Sequence, residues 1–215
     1  NAAGRLGDAK TSLEFLLETD SFKANERAIE LLNINNTRKD MTEQGTKTAI
    51  GLLETSDHLL MGAVPETGVA ALSDRVLVMY IPKLHESLVG IIAGRIKERY
   101  YRPVLLFTDS EEEGIIKGSG RSIEGYNMYD EINKCSDYFT KFGGHEMAAG
   151  FSMEKRNLAR LREKMNANCT LDEKLLTPKL RIDVPMPLDY VSIPLTEELE
   201  VLEPFGKGNE KPVFA

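Results

Sequence analysis

The apolar positions of this chain fall into two textures. Up to about residue 54 they recur at helical spacing. Leu13, Leu16 and Leu17 share one face of a helix spanning residues 1 to about 19. Ala24, Ala28, Leu31 and Leu32, then Met41, Gly45, Ala49, Leu52 and Leu53, carry the spacing from about residue 21 to 54. Ser21 reads as an N-cap, and Asn35 and Asn36 as a point where the run bends or breaks. The opposite face is dense with Lys, Arg and Glu, which predicts a long, partly exposed helix bridging two bodies.

From about Arg75 the period shortens. Residues 76–81 predict a buried strand and 87–100 an amphipathic helix presenting Leu88, Val89, Ile92 and Ile96. Residues 104–107 give a second strand and 115–119, after the acidic turn at 111–114, a third. A helix near 129–136 precedes a glycine block, 150–153 form a fourth strand, and 154–168 a basic helix. Strands alternating with helices predict an α/β fold, a mixed sheet with flanking helices. After Pro178, residues 180–184 alternate as a strand, Thr196 caps a short helix over 197–202, and a turn-rich stretch follows to Asn209.

Composition narrows the function classes. The 215 residues are 41% apolar and 28% charged, as in an ordinary soluble globular protein. No apolar run reaches the roughly 20 residues a membrane-spanning helix needs. The chain opens on Asn1 and stops at Pro212-Val213-Phe214-Ala215, inside what reads as a strand, so both ends are expected to be cut from a longer protein. A net charge of −7 means that any grip on nucleic acid must come from local positive charge. Cys135 and Cys169 have no CxxC spacing and are expected to be reduced core thiols of a cytoplasmic protein.

Three motifs could carry chemistry. In Phe142-Gly143-Gly144-His145 the glycines let backbone approach a ligand. His145 is expected on the first turn of a short helix, where free N–H groups favour an anion. Ala148, Ala149 and Gly150 are expected to allow close packing against the strand behind. Alone, the block also reads as a tight turn with a capping histidine. In Gly118-Ser119-Gly120-Arg121-Ser122 small residues leave room for a ligand, and Arg121 offers a fork suited to phosphate, or to a structural carboxylate. His85 lies in a strand-to-helix turn, a common ligand position and equally an ordinary surface one. Arg95, Lys97, Arg99 and Arg102, with Tyr100 and Tyr101, could grip a single strand, but Lys97 and Arg99 read as a solvated helix end. His58 has no companion motif. Three dispersed histidines, without Asp-x-Asp, Asp-His-His, HExxH or a P-loop, leave no catalytic constellation of the chain's own.

In order along the chain stand Asn1-Ala2-Ala3-Gly4-Arg5, Leu84-His85-Glu86-Ser87-Leu88-Val89-Gly90-Ile91-Ile92-Ala93-Gly94-Arg95, Gly118 to Ser122, Phe142 to His145 with Ala148-Ala149-Gly150-Phe151, and Leu202-Glu203-Pro204-Phe205-Gly206 with Gly208-Asn209. This set resembles bacterial RecJ-type single-stranded-DNA exonucleases of the DHH phosphoesterase superfamily. The resemblance implies 5′→3′ degradation of single-stranded DNA in repair and recombination, with two Mn²⁺ or Mg²⁺ ions held by an N-terminal domain absent here. The chain itself would bind no metal and be inactive alone. It would comprise residues 1–55 as the end of the DHH domain and the connecting helix, 56–172 as the DHH-associated domain, and 173–215 as the start of an oligonucleotide-binding barrel. Carried over, His145 would be the catalytic contact to phosphate, and Gly143, Gly144, Ser119, Arg121, Asn1, Arg5 and His85 would bind substrate. Leu84 stands where the family often has Trp, and Gly94 where Ser is frequent. The partner implied is single-stranded DNA, not a membrane, and apolar surface left by the missing domain opens a route to self-association. An oligoribonuclease or cyclic-dinucleotide phosphodiesterase of the superfamily, and a non-catalytic nucleic-acid-binding module, are the alternatives.

Overall fold

The computed structural model describes residues 2–59 and 72–215, without the side chains of 56–59. They fall into two units, Asn1–Thr177 and Pro178–Ala215.

The first unit begins with α1 (Ala3–Leu6), α2 (Ala9–Leu17) and the 39-residue α3 (Ser21–Leu59). α3 runs unbroken through Asn35 and Asn36. The Asn35 side-chain oxygen accepts from Arg38 Nε at 3.2 Å, so it is engaged outward rather than competing for the backbone. The cap is Asp20, whose Oδ1 accepts from the Phe22 and Lys23 amides at 2.9 and 3.2 Å, and Ser21 is the first helical residue. A carboxylate in this place satisfies two orphan amides and suits the positive end of the helix.

The change of period near residue 75 becomes a five-stranded sheet. β1 (Leu77–Tyr80), β2 (Val104–Asp109), β3 (Ile115–Arg121), β4 (Phe139–His145) and β5 (Ala148–Glu154) lie in the order β1-β2-β3-β5-β4. β1 and β2 are parallel, joined through α4 (Glu86–Tyr100), and the remaining pairs are antiparallel. One face of β1 and β2 (Leu77, Met79, Val104, Leu106) packs on Leu88, Ile92 and Ile96 of α4 and Ala49 and Leu53 of α3. The other face buries Val78, Leu105, Phe107, Ile116, Phe151 and Met153 against α5 (Met128–Asn133) and α6 (Leu158–Asn168). β1 is buried on both faces, as a strand between two helical layers must be.

One element departs from its expectation. The Gly-Gly-His block is not a turn into a helix but the end of a fifth strand, β4, with Gly143 opposite Gly150 and Gly144 opposite Ala149. Small residues on both strands let this hairpin close, and the glycines that made the segment unlike a strand are what its pairing uses.

In the second unit the strand expected at 180–184 is reduced to a single parallel bridge between Val184 and Phe214. The helix starts earlier than expected. α7 (Ile193–Leu199) is capped by Ser192, whose Oγ accepts from the Leu195 amide at 3.4 Å, and residues 200–202 tighten into a 3₁₀ turn. Asn209 then fastens the following turn by donating to the Leu202 and Pro204 carbonyls at 2.8 and 3.1 Å.

Candidate functional site

On one face of the sheet α3 and α4 cover β1 and β2, and α4 reaches on to β3, leaving β4 and β5 uncovered by them. The strand registers align three cross-strand rows on that same face. Arg121, Ala148 and His145 form one row, Ser119, Gly150 and Gly143 the next, and Lys117, Ser152 and Lys141 the third. Polar and cationic rows thus flank a floor of small residues. The flanking rows lie four residues apart along β3, or ~13 Å, and three strands span ~10 Å across. Lys117 is held by Glu86 at the start of α4 (Nζ to Oε2, 2.5 Å), and this hydrogen bond raises its pKa.

The glycines of the two motifs divide by face. A Cβ on Gly118 would lie 2.4 Å from the Leu106 carbonyl oxygen, and one on Gly120 3.0 Å from Met128 Sδ, so both serve core packing. A Cβ on Gly144 would lie 2.6 Å from Ala149 Cα. At Gly143 and Gly150 a Cβ would meet nothing within 4 Å. Gly150 therefore does not allow close packing, as its sequence context suggests, but keeps an exposed floor low.

Two guanidiniums converge beside this floor. Arg121 Nη1 donates to Ser119 Oγ and to the Gly120 carbonyl, each at 2.7 Å. Arg5, on α1, donates through Nη1 to the Ser87 carbonyl at 2.8 Å. Neither arginine joins an ion pair among the described residues. Burial, and then the Arg5 charge, lower the pKa of Arg121, although a guanidinium stays charged under working conditions. A half-buried positive pair without a carboxylate is arranged to receive an anion.

The two histidines are held in opposite tautomers. Ser87 Oγ donates its one proton to the Arg5 carbonyl at 2.8 Å, so the 2.8 Å contact with His85 Nδ1 requires Nδ1–H as donor. At His145 the Met147 amide donates to Nδ1 at 3.3 Å, which leaves the proton on Nε2. His145, exposed at the end of its row, can therefore offer Nε2–H to a phosphoryl oxygen. Asn1 lies outside the described residues, as does the His58 side chain.

The DHHA1 domain model matches residues 73–170 and the RecJ OB domain model residues 182–215. The single-stranded-DNA-specific exonuclease RecJ of Escherichia coli (strain K12) is 35% identical over 224 residues, covering 100% of this chain. The Bacillus subtilis (strain 168) exonuclease RecJ is 32% identical over 99% of the chain. RecJ of Thermus thermophilus, solved with Mg²⁺, is 28% identical and superimposes over 100% of this chain with a TM-score of 0.74. The chain belongs to the RecJ family. It spans 25% and 36% of the length of the B. subtilis and E. coli relatives, and 31% of the T. thermophilus chain.

RecJ of T. thermophilus has been solved with Mn²⁺ as well as Mg²⁺. Among the described residues of this RecJ-family chain no group of three or more His, Cys, Asp or Glu side chains is placed to hold a metal ion, so these residues do not form such a centre. No helix among them is long and apolar enough to cross a membrane. The basic cluster at the C-terminal end of α4 is a helix end. Arg102 Nη1 donates to the Leu176 carbonyl at 3.0 Å and, more weakly, to those of Tyr100 and Tyr101, while Arg99 lies 3.6 Å from Glu54. Both cysteines are buried free thiols whose pKa values burial raises. The sequence motifs include Ser87 and Gly150 without the part they play here, and leave out the side chains of Lys117, Lys141 and Ser152 on this face. Period-two alternation through residues 139–154 is the sequence signal that puts Gly150 and Ser152 on one face.

Proposed function

We propose that this chain supplies the substrate-gripping surface of a RecJ-type enzyme that removes nucleotides from the 5′ end of single-stranded DNA, in the cytoplasm, with the metal-binding chemistry furnished by residues outside the chain. The DHH-associated domain is assigned to residues 56–172, preceded by the connecting helix within 1–55 and followed by the barrel segment from 173. The observation that carries the reading is the row Ser119, Gly150, Gly143 between rows bearing Arg121 with His145 and Lys117 with Lys141. A low floor admits a sugar–phosphate backbone, and the donors beside it meet the phosphate from two sides. Arg121 supplies charge and a fork, Ser119 orients that fork, and His145 supplies Nε2–H. Oriented donors of this kind stabilise charge that develops on phosphoryl oxygens.

The test fills the floor. Gly150→Val and Gly143→Val place a β-favouring side chain in open space, so the fold should hold. Each is expected to weaken binding of a single-stranded oligodeoxynucleotide by at least about tenfold with an unchanged Tm, the order of one lost directional contact. Wild-type affinity in both variants would remove the groove from the proposal. Competition by a dinucleotide as strong as that by a long strand would instead favour an enzyme of short oligonucleotides.

A further inference from the structure

α4 carries two interior glycines one turn apart, where glycine weakens a helix relative to alanine. A Cβ at Gly94 would meet nothing within 4 Å. A Cβ at Gly90 would lie 2.4 Å from Arg121 Nη2, 3.0 Å from Ser119 Oγ and 3.2 Å from Arg121 Cζ. These three nearest atoms all belong to two side chains on β3, and the closest is the far end of a flexible one. Both hydrogen bonds of the Arg121 guanidinium use Nη1. Nη2 instead lies against Gly90, on the side of the guanidinium that Ser119 and the Gly120 carbonyl do not hold.

We infer that Gly90 is a positioning residue for Arg121: the missing side chain is a seat that aims the guanidinium across the groove. This rests on the reading of Arg121 as a phosphate contact given above. Alanine at 90 can be accommodated by swinging the flexible end of Arg121 aside, so Gly90→Ala should keep the fold and lose the aim. A bidentate contact to phosphate depends on that aim, and a point charge much less.

The experiment uses the whole 215-residue chain with a fluorescent single-stranded oligothymidylate, read by anisotropy over a range of salt concentrations, with Tm measured for every variant. Arg121→Ala should weaken binding by at least about tenfold and flatten the salt dependence by ~0.7 in the log–log slope, one phosphate contact on a single strand. Gly90→Ala should weaken binding several-fold but flatten the slope less than Arg121→Ala does, because the charge remains while the aim is lost, with a Tm no lower than wild type. Gly94→Ala should bind as wild type does. Arg121→Lys should cost clearly less in the Gly90→Ala background than alone, since the fork it removes is already misdirected.

If Arg121→Ala binds as wild type does, the phosphate contact itself falls. If Arg121→Ala is weakened while Gly90→Ala stays within about twofold, or if Gly90→Ala and Arg121→Lys simply add, the positioning role falls and the contact stands. Should Gly90→Ala lower the Tm, adding Arg121→Ala must restore it, because the clash is with that side chain. Failure to restore it overturns the inference.

Discussion

At the scale of single residues the site depends on where protons and side-chain ends point. The Met147 amide occupies His145 Nδ1, so the useful donor is Nε2–H. Glutamine places an amide N–H near the position of Nε2 and asparagine near that of Nδ1. His145→Gln is therefore expected to keep most of the affinity for single-stranded DNA, whereas His145→Asn and His145→Ala lose several-fold, as titrations would report. Equal losses in all three would mean that His145 does not act through Nε2. On the proposed function, Arg121→Ala in a RecJ-type exonuclease carrying this chain should cost about 10²-fold or more in rate, the order for one oriented donor. Much of this residue chemistry is legible in the sequence. Gly118 to Ser122 and Phe142 to His145 stand out because glycine, a hydroxyl and a cation together suit phosphate. What cannot be read is that Gly143 and Gly150 stand in open space while Gly118 is packed into the core and Gly144 is crowded by Ala149. That depends on strand register, and a slip of one residue reverses it.

At the scale of elements, α4, β1 and β2 follow directly from periodicity, because each buries a run of apolar residues. β4 does not, since only Phe139 and Phe142 anchor it. They contribute to a ladder of rings in which Phe139 lies 5.8 Å from Phe142 and 5.6 Å from Phe151, itself 4.7 Å from Phe107. Aromatic pairs at such separations hold an edge strand that its glycines would otherwise loosen. The division of the glycines by face gives a stability contrast. Gly118→Ala forces a methyl against the Leu106 carbonyl and the Phe151 ring, and should cost on the order of 1–3 kcal/mol in urea denaturation. Gly150→Ala adds a methyl in open space and should be neutral or stabilise by up to about 1 kcal/mol. A reversed order would mean that the register drawn for β3 and β5 is wrong.

At the scale of the whole molecule, 34 acidic against 27 basic residues rule out a grip by bulk charge, so any hold on DNA must come from local cations such as Arg5 and Arg121. With no metal-ligating group among the described residues, DNA binding by this chain should be the same in Mn²⁺ and in a chelator. Nuclease assays in Mn²⁺ should stay at background. Cleavage that the chelator abolishes would reveal a metal site within the chain. Leu16, Leu17 and Phe22 are each at least 70% exposed on α2 and α3. The sheet has one further consequence, for how the molecule can tolerate change. Along β3 the even-numbered side chains enter the core and the odd-numbered ones the groove, and on β5 the parity is reversed. In a library of every single substitution, loss of expression and loss of DNA binding at full expression should therefore alternate residue by residue, out of phase between the two strands.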